Sequence, residues 1–471
     1  MKKKINGHNF CILLAGGSGT RFWPQSRILE PKQFLLLNKE KSLFQQTLDR
    51  VLPIFSPEKI VIVTSELYKH QILATVGFYK IPEENVIYEP TAKNTAASVG
   101  VGVRLISLKD DQARICVLPC DHYIKNEDLF RFVMEKALAH CHNSLIVCGI
   151  PPHRPATGYG YIKVDKKGLE EKADVFKALK YYEKPDLKKA QRFLKAGNYF
   201  WNSGIFVGTC GIFLREIKKN LPDLYSGLQK MKTADDVILF WEKLPSISFD
   251  YAVLEKTAFL GMVEAGDLGW SDLGSWQAWD ELLTRDKENN VFLGDVVNID
   301  SRNTTVLAKE RLTAVLGVED LIIVDTPDAL LVTKKDRSEE VKKVVEILKA
   351  GQRNEHYTHR TTKRPWGSYT VLEIGLGFKI KLIEVLPRKA LSLQLHSKRS
   401  EHWVVVEGRA KVVRGEDVFY VEVNESTFIP PLCSHRLINP GDSILKIVEV
   451  QAGSYLEEDD IVRLKDDFCR V

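Results

Sequence analysis

This 471-residue chain has eight cysteines and no C-x-x-C pair among them. That scatter argues against disulfides and zinc knuckles and for reduced, mostly buried thiols. There is no long Lys/Arg block, and a formal charge of +5 on so long a chain is slight. A nucleic-acid partner therefore has no basis. The apolar stretch 10–15, behind Met1-Lys-Lys-Lys4, is too short for a signal-peptide core or a membrane span. The expected location is the cytoplasm, with no membrane partner. Internal repeats and low-complexity tracts are absent too. What remains is ordinary globular composition, 44% apolar and 27% charged, with length for about three domains, each able to bury a core.

The most informative segment is Leu14-Ala-Gly-Gly-Ser-Gly-Thr-Arg-Phe-Trp-Pro24, followed by Glu30-Pro-Lys-Gln-Phe34. An apolar strand over 11–15 ends at Ala15 and runs into Gly16, Gly17 and Gly19, then Thr20 and Arg21. Glycines let backbone N–H groups close on phosphate oxygens, and successive amides facing one way form an anion-binding concavity. Arg21 and Lys32 then neutralise a polyphosphate, the first by a planar fork and the second as a point charge. The segment is not a P-loop, because Gly19 is followed by Thr20-Arg21 rather than Lys-Ser/Thr. Nor is it a dinucleotide fingerprint, because Phe22 stands where the third glycine belongs.

The first part of the chain alternates strand-like runs (11–15, 60–64, 86–88, 115–118, 145–149) with helical ones (95–108, 129–140). That pattern predicts an α/β, Rossmann-like domain with a mainly parallel sheet over 1–289, its ligands beyond the carboxyl ends of strands. From 290 to 350 the texture changes to short apolar runs (305–308, 313–318, 321–325, 329–333). These read as a small β linker segment, with a short β-helix as one form it can take, closed by a charged helix over 338–349. The remainder, 351–471, is a succession of strands with Gly, Asn and Pro turns, which suits an antiparallel jelly-roll barrel.

The glycine segment resembles the sugar-nucleotide pyrophosphorylases. Trp23-Pro24 and Pro31-Lys32-Gln33-Phe34 are similar to the mannose-1-phosphate guanylyltransferase version, with Phe22 where that family usually has Leu. Further motifs follow in family order. Glu89-Pro-Thr-Ala-Lys-Asn-Thr-Ala96 resembles the nucleoside-recognition stretch, with Asn94 and Thr95 at a helix start. Thr157-Gly-Tyr-Gly-Tyr161 (Gly158, Tyr159, Gly160) and Asn202-Ser-Gly-Ile205 resemble sugar-binding loops, and Tyr182-Glu-Lys-Pro185 the segment offering Glu183 to sugar hydroxyls and Lys184 to the sugar phosphate. Asp121 and Asp272 match the family's metal-binding aspartates, which implies magnesium held by two carboxylates and substrate phosphates. The reaction implied is nucleotidyl transfer: mannose 1-phosphate attacks the α-phosphorus of GTP and pyrophosphate leaves, with Arg21, Lys32 and magnesium carrying the charge. The expected assembly is a homo-oligomer, a dimer.

Ser392-Leu-Gln-Leu-His-Ser-Lys-Arg-Ser-Glu-His-Trp403 is the second chemical segment. Gln394 and His396, two apart, share a face of a strand. Glu401 follows a short turn, and His435 arrives from a later one. This is similar to the cupin two-motif arrangement with Gln in place of the first histidine. Such a set holds a divalent metal, zinc, cobalt or manganese, with an open position for Lewis-acid chemistry. Together with Arg364-Pro-Trp-Gly-Ser-Tyr369, the segment resembles type II phosphomannose isomerases, which interconvert mannose 6-phosphate and fructose 6-phosphate. Lys398 and His402 are the expected candidates for the base, and Arg436 for holding phosphate or enediolate charge. The expectation is a bifunctional enzyme; the alternative is a guanylyltransferase whose cupin domain is catalytically silent.

Overall fold

Parallel strands covered by helices on both sides must be apolar along their whole length. The run Asn9–Ala15 meets that condition, with six of its seven residues buried. In the computed structural model, which describes residues 7–467 apart from 18, 38, 39 and 172, this run is the first strand, β1. It is followed by β2 (Ile60–Ser65), β3 (Val86–Glu89), β4 (Arg114–Pro119), β5 (Tyr123–Ile124), β6 (Leu145–Ile150), β7 (Tyr161–Val164), β8 (Phe176–Tyr182), β9 (Tyr199–Thr209) and β10 (Leu260–Glu264). All but β5 form one nine-stranded sheet in the order β3-β2-β1-β4-β9-β6-β10-β8-β7. The pairs β1–β2, β1–β4, β2–β3 and β6–β10 are parallel, as the alternating pattern predicts. Strand β9 is inserted antiparallel between β4 and β6, and β8 runs antiparallel to β10 and β7.

Helices Asn94–Lys109 and Glu127–His140 pack against this sheet. The second starts where the Asn126 side chain accepts from Leu129 N, one of the orphan donors of a helix N-terminus. The seven described cysteines are free thiols, six buried and Cys433 half-buried. Cys469 and Met1–Lys4 lie outside the described residues.

A short antiparallel ribbon pairs β5 with β11 (Trp270–Ser271). Beyond it, β12 (Val291–Ile299), β13 (Thr305–Leu316), β14 (Leu321–Thr326) and β15 (Ala329–Lys334) form a four-stranded stack, parallel where β12 meets β13 and β13 meets β14. The runs 305–308 and 313–318 are thus parts of one strand carried through a polar middle, and β12 is a strand the apolar pattern does not reveal. The closing segment is a 3-10 turn, Lys335–Glu340, before an α-helix, Val341–Ala350. One compact unit comprises the chain up to Asp325 together with Leu330–Ala350. Within it, Asp280 is a buried tie, accepting from Arg285 Nη2 at 2.7 Å, from the Thr305 hydroxyl and from Lys335 Nζ at 2.9 Å.

The second unit, Thr326–Ala329 with the chain from Gly351 onward, has the expected jelly-roll architecture. Its strands are β16 (Thr361–Arg364), β17 (Gly367–Gly375), β18 (Phe378–Val385), β19 (Leu393–Leu395), β20 (Arg399–Glu407), β21 (Ala410–Arg414), β22 (Asp417–Val421), β23 (Ser426–Ile429), β24 (His435–Ile438), β25 (Leu445–Gly453) and β26 (Val462–Lys465). They form two sheets, one ordered β16-β17-β18-β25-β20-β23 and the other β22-β21-β24-β19-β26. Alternate residues of these strands, Ile383, Val385, Trp403, Val405, Leu437 and Ile447 among them, form its apolar core.

Candidate active sites

The glycine loop leaves the carboxyl end of β1 and is held from two sides. Gln33 Nε2 donates to the Ala15 carbonyl at 2.9 Å, and the Ser26 hydroxyl donates to Gly19 O at 2.8 Å. Gly19 has φ +57°, and a Cβ there would lie 2.3 Å from Lys32 Cβ. Only glycine lets the loop close on the Pro31-Lys32 turn. Trp23 O accepts from Trp276 Nε1 at 2.9 Å, and the Trp276 ring lies against Phe22. The Trp-Pro signature thereby fastens the loop to the segment that carries Asp272.

The β5–β11 ribbon explains how Asp121 and Asp272 meet. Its register pairs Ser271 with Tyr123, so the chain just before β5 and the chain just after β11 emerge at the same end. Lys32 Nζ reaches both, 2.8 Å from Asp121 Oδ2 and bonded to the main-chain oxygen of Asp272. The Asp272 carboxylate accepts from Tyr159 OH at 2.9 Å and from Gly274 N at 3.1 Å. Burial alone would raise the Asp121 carboxyl, but Lys32 and His122 outweigh it and hold it below its ordinary value. Gly19, Thr20, Arg21, Lys32, Asp121, His122, Asp272 and Gly274 line one cleft of about 280 Å³. Arg21 sits at its exposed rim, donating to Gly274 O at 3.3 Å. Gly16 lies against the Glu89 side chain, whereas Gly17 faces open space. Two carboxylates beside a phosphate-sized cleft suit a hard divalent cation that completes its shell with phosphate oxygens and water.

Asn94 and Thr95 open their helix, Asn94 with φ +60°. Thr95 Oγ1 accepts from Phe249 N at 2.8 Å, which ties the nucleoside-type stretch to a second polar cluster. There, Asn202 Nδ2 donates to Asp250 Oδ1 at 2.8 Å, and Tyr181 OH donates to Glu183 Oε2 at 2.7 Å. A Cβ on Gly160 would strike the Tyr181 hydroxyl at 2.1 Å, while Gly158 has open space around it. Lys184 Nζ is 2.9 Å from Glu183 Oε1 and exposed. Burial, then the charge of Glu183, pushes the Asp250 carboxyl up to about 6. Asp250, Tyr181, His122 and the role of Gln33 escape the motif reading. For Asp250 the available signal is a lone acid between the apolar residues Phe249 and Tyr251.

In the jelly roll, Gln394 and His435 are direct cross-strand partners on β19 and β24. His396, Glu401 and His435 are all buried, with ligand atoms within 4.8 Å of one another. His396 Nε2 is 3.2 Å from Glu401 Oε1, and His435 Nε2 is 3.8 Å from Glu401 Oε2. Glu401 is the group that His396 Nε2 faces, and His396 Nδ1 makes no hydrogen bond among the described residues. His435 Nδ1 is 2.9 Å from Cys433 O, which orients the ring and leaves Nε2 toward the cluster. Two buried imidazoles facing one buried carboxylate are a metal-ligand donor set, and the expected set, Gln394 included, fits a divalent metal.

The same inner face carries residues the motif reading misses. Glu401 pairs with Gln451 and Trp403 with Glu449 across β20 and β25. Arg399 Nε, Gln451 Nε2 and Trp403 Nε1 each donate to the Glu401 carboxylate at 3.1–3.2 Å. Burial, then the charge of Glu401, raises the Glu449 carboxyl above its ordinary value. The three isomerase candidates are placed elsewhere. His402 points to the outer face of β20 beside Ser426, because neighbours along a strand alternate. Lys398 is exposed over the Tyr455 ring. Arg436 is engaged with Leu391 O and Asp467.

Residues 10–289 match the nucleotidyl transferase family model. Residues 294–348 match a "MannoseP isomerase/GMP-like beta-helix domain", and 351–466 a mannose-6-phosphate isomerase C-terminal domain. The chain is 39% identical over 472 residues to an Escherichia coli (strain K12) mannose-1-phosphate guanylyltransferase, covering 98% of each. It is 40% identical over 470 residues to the xanthan biosynthesis protein XanB of Xanthomonas campestris pv. campestris, again covering 98% of each. A solved structure from Thermus thermophilus, described as a mannose-1-phosphate geranyltransferase, aligns at 29% identity and TM-score 0.65, covering 73% of this chain and 99% of that one. Among the described residues, no helix is long and apolar enough to cross a membrane.

Proposed function

The chain belongs to the family of mannose-1-phosphate guanylyltransferases that carry a mannose-6-phosphate isomerase C-terminal domain, and from that premise we propose that it forms GDP-mannose and pyrophosphate from GTP and mannose 1-phosphate and also interconverts mannose 6-phosphate and fructose 6-phosphate. The same reading includes the cytoplasm as the site of both reactions.

The observation that carries the transferase reading is Lys32 held between Asp121 and Asp272 beside the glycine loop. The nucleophile, a sugar-phosphate oxygen, is already an anion, so no general base is required. The work is positioning and charge neutralisation. Loop amides and the Arg21 guanidinium hold the triphosphate, Lys32 presents its ammonium at the cleft floor, and Glu183, Asn202 and Asp250 offer acceptors and donors to sugar hydroxyls. Lys184 takes the sugar phosphate. Magnesium, when bound at Asp121 and Asp272, supplies further charge neutralisation on phosphate oxygens. Incubation with GTP, other nucleotides and mannose 1-phosphate tests this, with GDP-mannose and pyrophosphate the products and GTP the preferred donor. Lys184→Ala raises the KM for mannose 1-phosphate; an unchanged KM and kcat removes that role.

For the isomerase, the buried cluster of His396, Glu401 and His435 carries the reading. Gln394, His396, Glu401 and His435 would hold a zinc, cobalt or manganese ion, which would supply Lewis acidity there. The proton moves between carbons 1 and 2 of the open-chain sugar, and Glu449, the inward carboxyl next to Glu401, replaces Lys398 and His402 as the group to carry it. Glu449→Gln lowers isomerase kcat while the GDP-mannose reaction is retained.

A further inference from the structure

The Arg364-to-Tyr369 motif has no part in the metal cluster, yet Arg364 and Tyr369 line the cavity beside it. Lys381 on β18 lies across from Glu449 on β25 and points into the same interior, its side chain only 7% exposed. Lys381 Nζ stands 4.8 Å over the Tyr369 ring, and the Arg364 guanidinium 5.6 Å from the same ring. Arg399 is buried at the same wall. Arg399 is already matched by Glu401 Oε1 at 3.2 Å, which leaves the desolvated Lys381 ammonium, with Arg364 beside it, to be matched by another anion.

The anion is supplied by the chain's own final segment. Glu458 Oε1 accepts from Lys381 Nζ at 3.0 Å, and Glu449 Oε1 is the other carboxylate oxygen near it, at 3.9 Å. Of the segment around it, Glu458 and Ile461 line the cavity. Arg399 Nη1 donates to Glu457 O and Lys379 Nζ to Leu456 O. Ser397 and Lys398 bond the Asp460 carboxylate. Strand β26 then pairs with β19, the strand of Gln394. With this strap in place the cavity holds only about 50 Å³, against roughly 300 Å³ or more for an ordinary small-molecule site. That space is too small for a hexose phosphate, and the Glu458 and Ile461 side chains are among its walls.

Resting on the isomerase reading, we propose that Lys381, with Arg364 and Arg399, is the binding site for the phosphate group of the sugar phosphate, and that the Glu458 carboxylate occupies this site in the ligand-free protein. The exchange is chemically sensible. A carboxylate brings one negative charge and two acceptor oxygens; a phosphate monoester brings about −1.5 to −2 charge and three. Glu458 is 43% exposed where Lys381 is 7%, so the carboxylate is the partner free to leave. Substrate arrival therefore displaces the strap, and the strap keeps the metal cluster covered at other times.

The test uses the full-length protein. Inorganic phosphate is expected to inhibit fructose 6-phosphate isomerisation competitively, and Lys381→Met to raise the KM for fructose 6-phosphate at least tenfold while weakening phosphate inhibition by a similar factor. Glu458→Gln, which removes the competing charge, is expected to lower the KM several-fold and strengthen phosphate inhibition. Unchanged KM and unchanged phosphate inhibition in either variant overturns the proposal, and Glu458→Gln decides alone should Lys381→Met not fold. Wild-type protein without isomerase activity would remove the isomerase reading, a separate result. Amide exchange over 455–461 then still reads the site: it must rise with inorganic phosphate in the wild type and not in Lys381→Met, and no rise overturns the proposal.

Discussion

Lys32 Nζ is 2.8 Å from Asp121 Oδ2 although the two residues are 89 apart in the chain. The pair is buried on the lysine side, and it keeps Asp121 ionised at the floor of the phosphate cleft. A charge-assisted hydrogen bond contributes roughly 1.5–3 kcal/mol. Lys32→Met is therefore expected to lower transferase kcat/KM by about 10–150-fold, read by pyrophosphate release. A loss smaller than about threefold would mean that the ammonium does not face the reacting phosphates.

Asp250 gives a pH signature. Its folded pKa, about 6, is raised above the ordinary 3.8, so the folded state binds the proton more tightly than the unfolded one. Its contribution to stability is present below about pH 4 and is lost as pH rises through about 6. Urea titrations of Asp250→Asn against wild type should show the variant gaining on the wild type between these two values. A constant difference across that window contradicts the assignment. The variant should also raise the KM for mannose 1-phosphate, since Asn202 and Tyr181 both bond Asp250.

Asp280 ties Thr305 of the β stack to Arg285 and Lys335. Removing one partner of a buried ion pair costs about 3–5 kcal/mol. Asp280→Ala should show that loss as a lower urea midpoint, and a shift under about 1 kcal/mol would show that the stack is held by apolar packing instead.

Metal removal separates the two reactions. After EDTA and desalting, magnesium should restore GDP-mannose formation and leave isomerisation absent, whereas zinc, cobalt or manganese should restore the isomerase. Full isomerase activity in the stripped protein would remove the metal from that site.

Both chemical segments were legible in the chain because phosphate and metal chemistry demand particular residue types within a few positions. The glycine loop with Lys32, and Gln394 with His396 and Glu401, are of this kind, whereas Asp121, Asp272 and the distant His435 were singled out through the family resemblance. What stayed hidden depends on partners brought by distant strands. Nothing near Lys381 announces that β25 will set Glu449 across from it, and Asp250 acquires meaning only through Asn202 and Tyr181. His402 is a different case. Its alternation with Glu401 and Trp403 was available from the period-2 rule, and it places the ring on the outer face. In the fold, the antiparallel β9 within the sheet and the continuous β13 both depend on neighbours that local apolar patterning does not encode.

The central claim, that two independent reactions share this chain, is tested most directly by assaying Lys32→Met and Glu401→Ala side by side for GDP-mannose formation and for fructose 6-phosphate isomerisation. The account predicts a double dissociation: Lys32→Met loses most of the first and keeps the second, and Glu401→Ala loses the second and keeps the first. Wild-type protein that makes GDP-mannose but never isomerises, or a Glu401→Ala variant that isomerises like wild type, would contradict it.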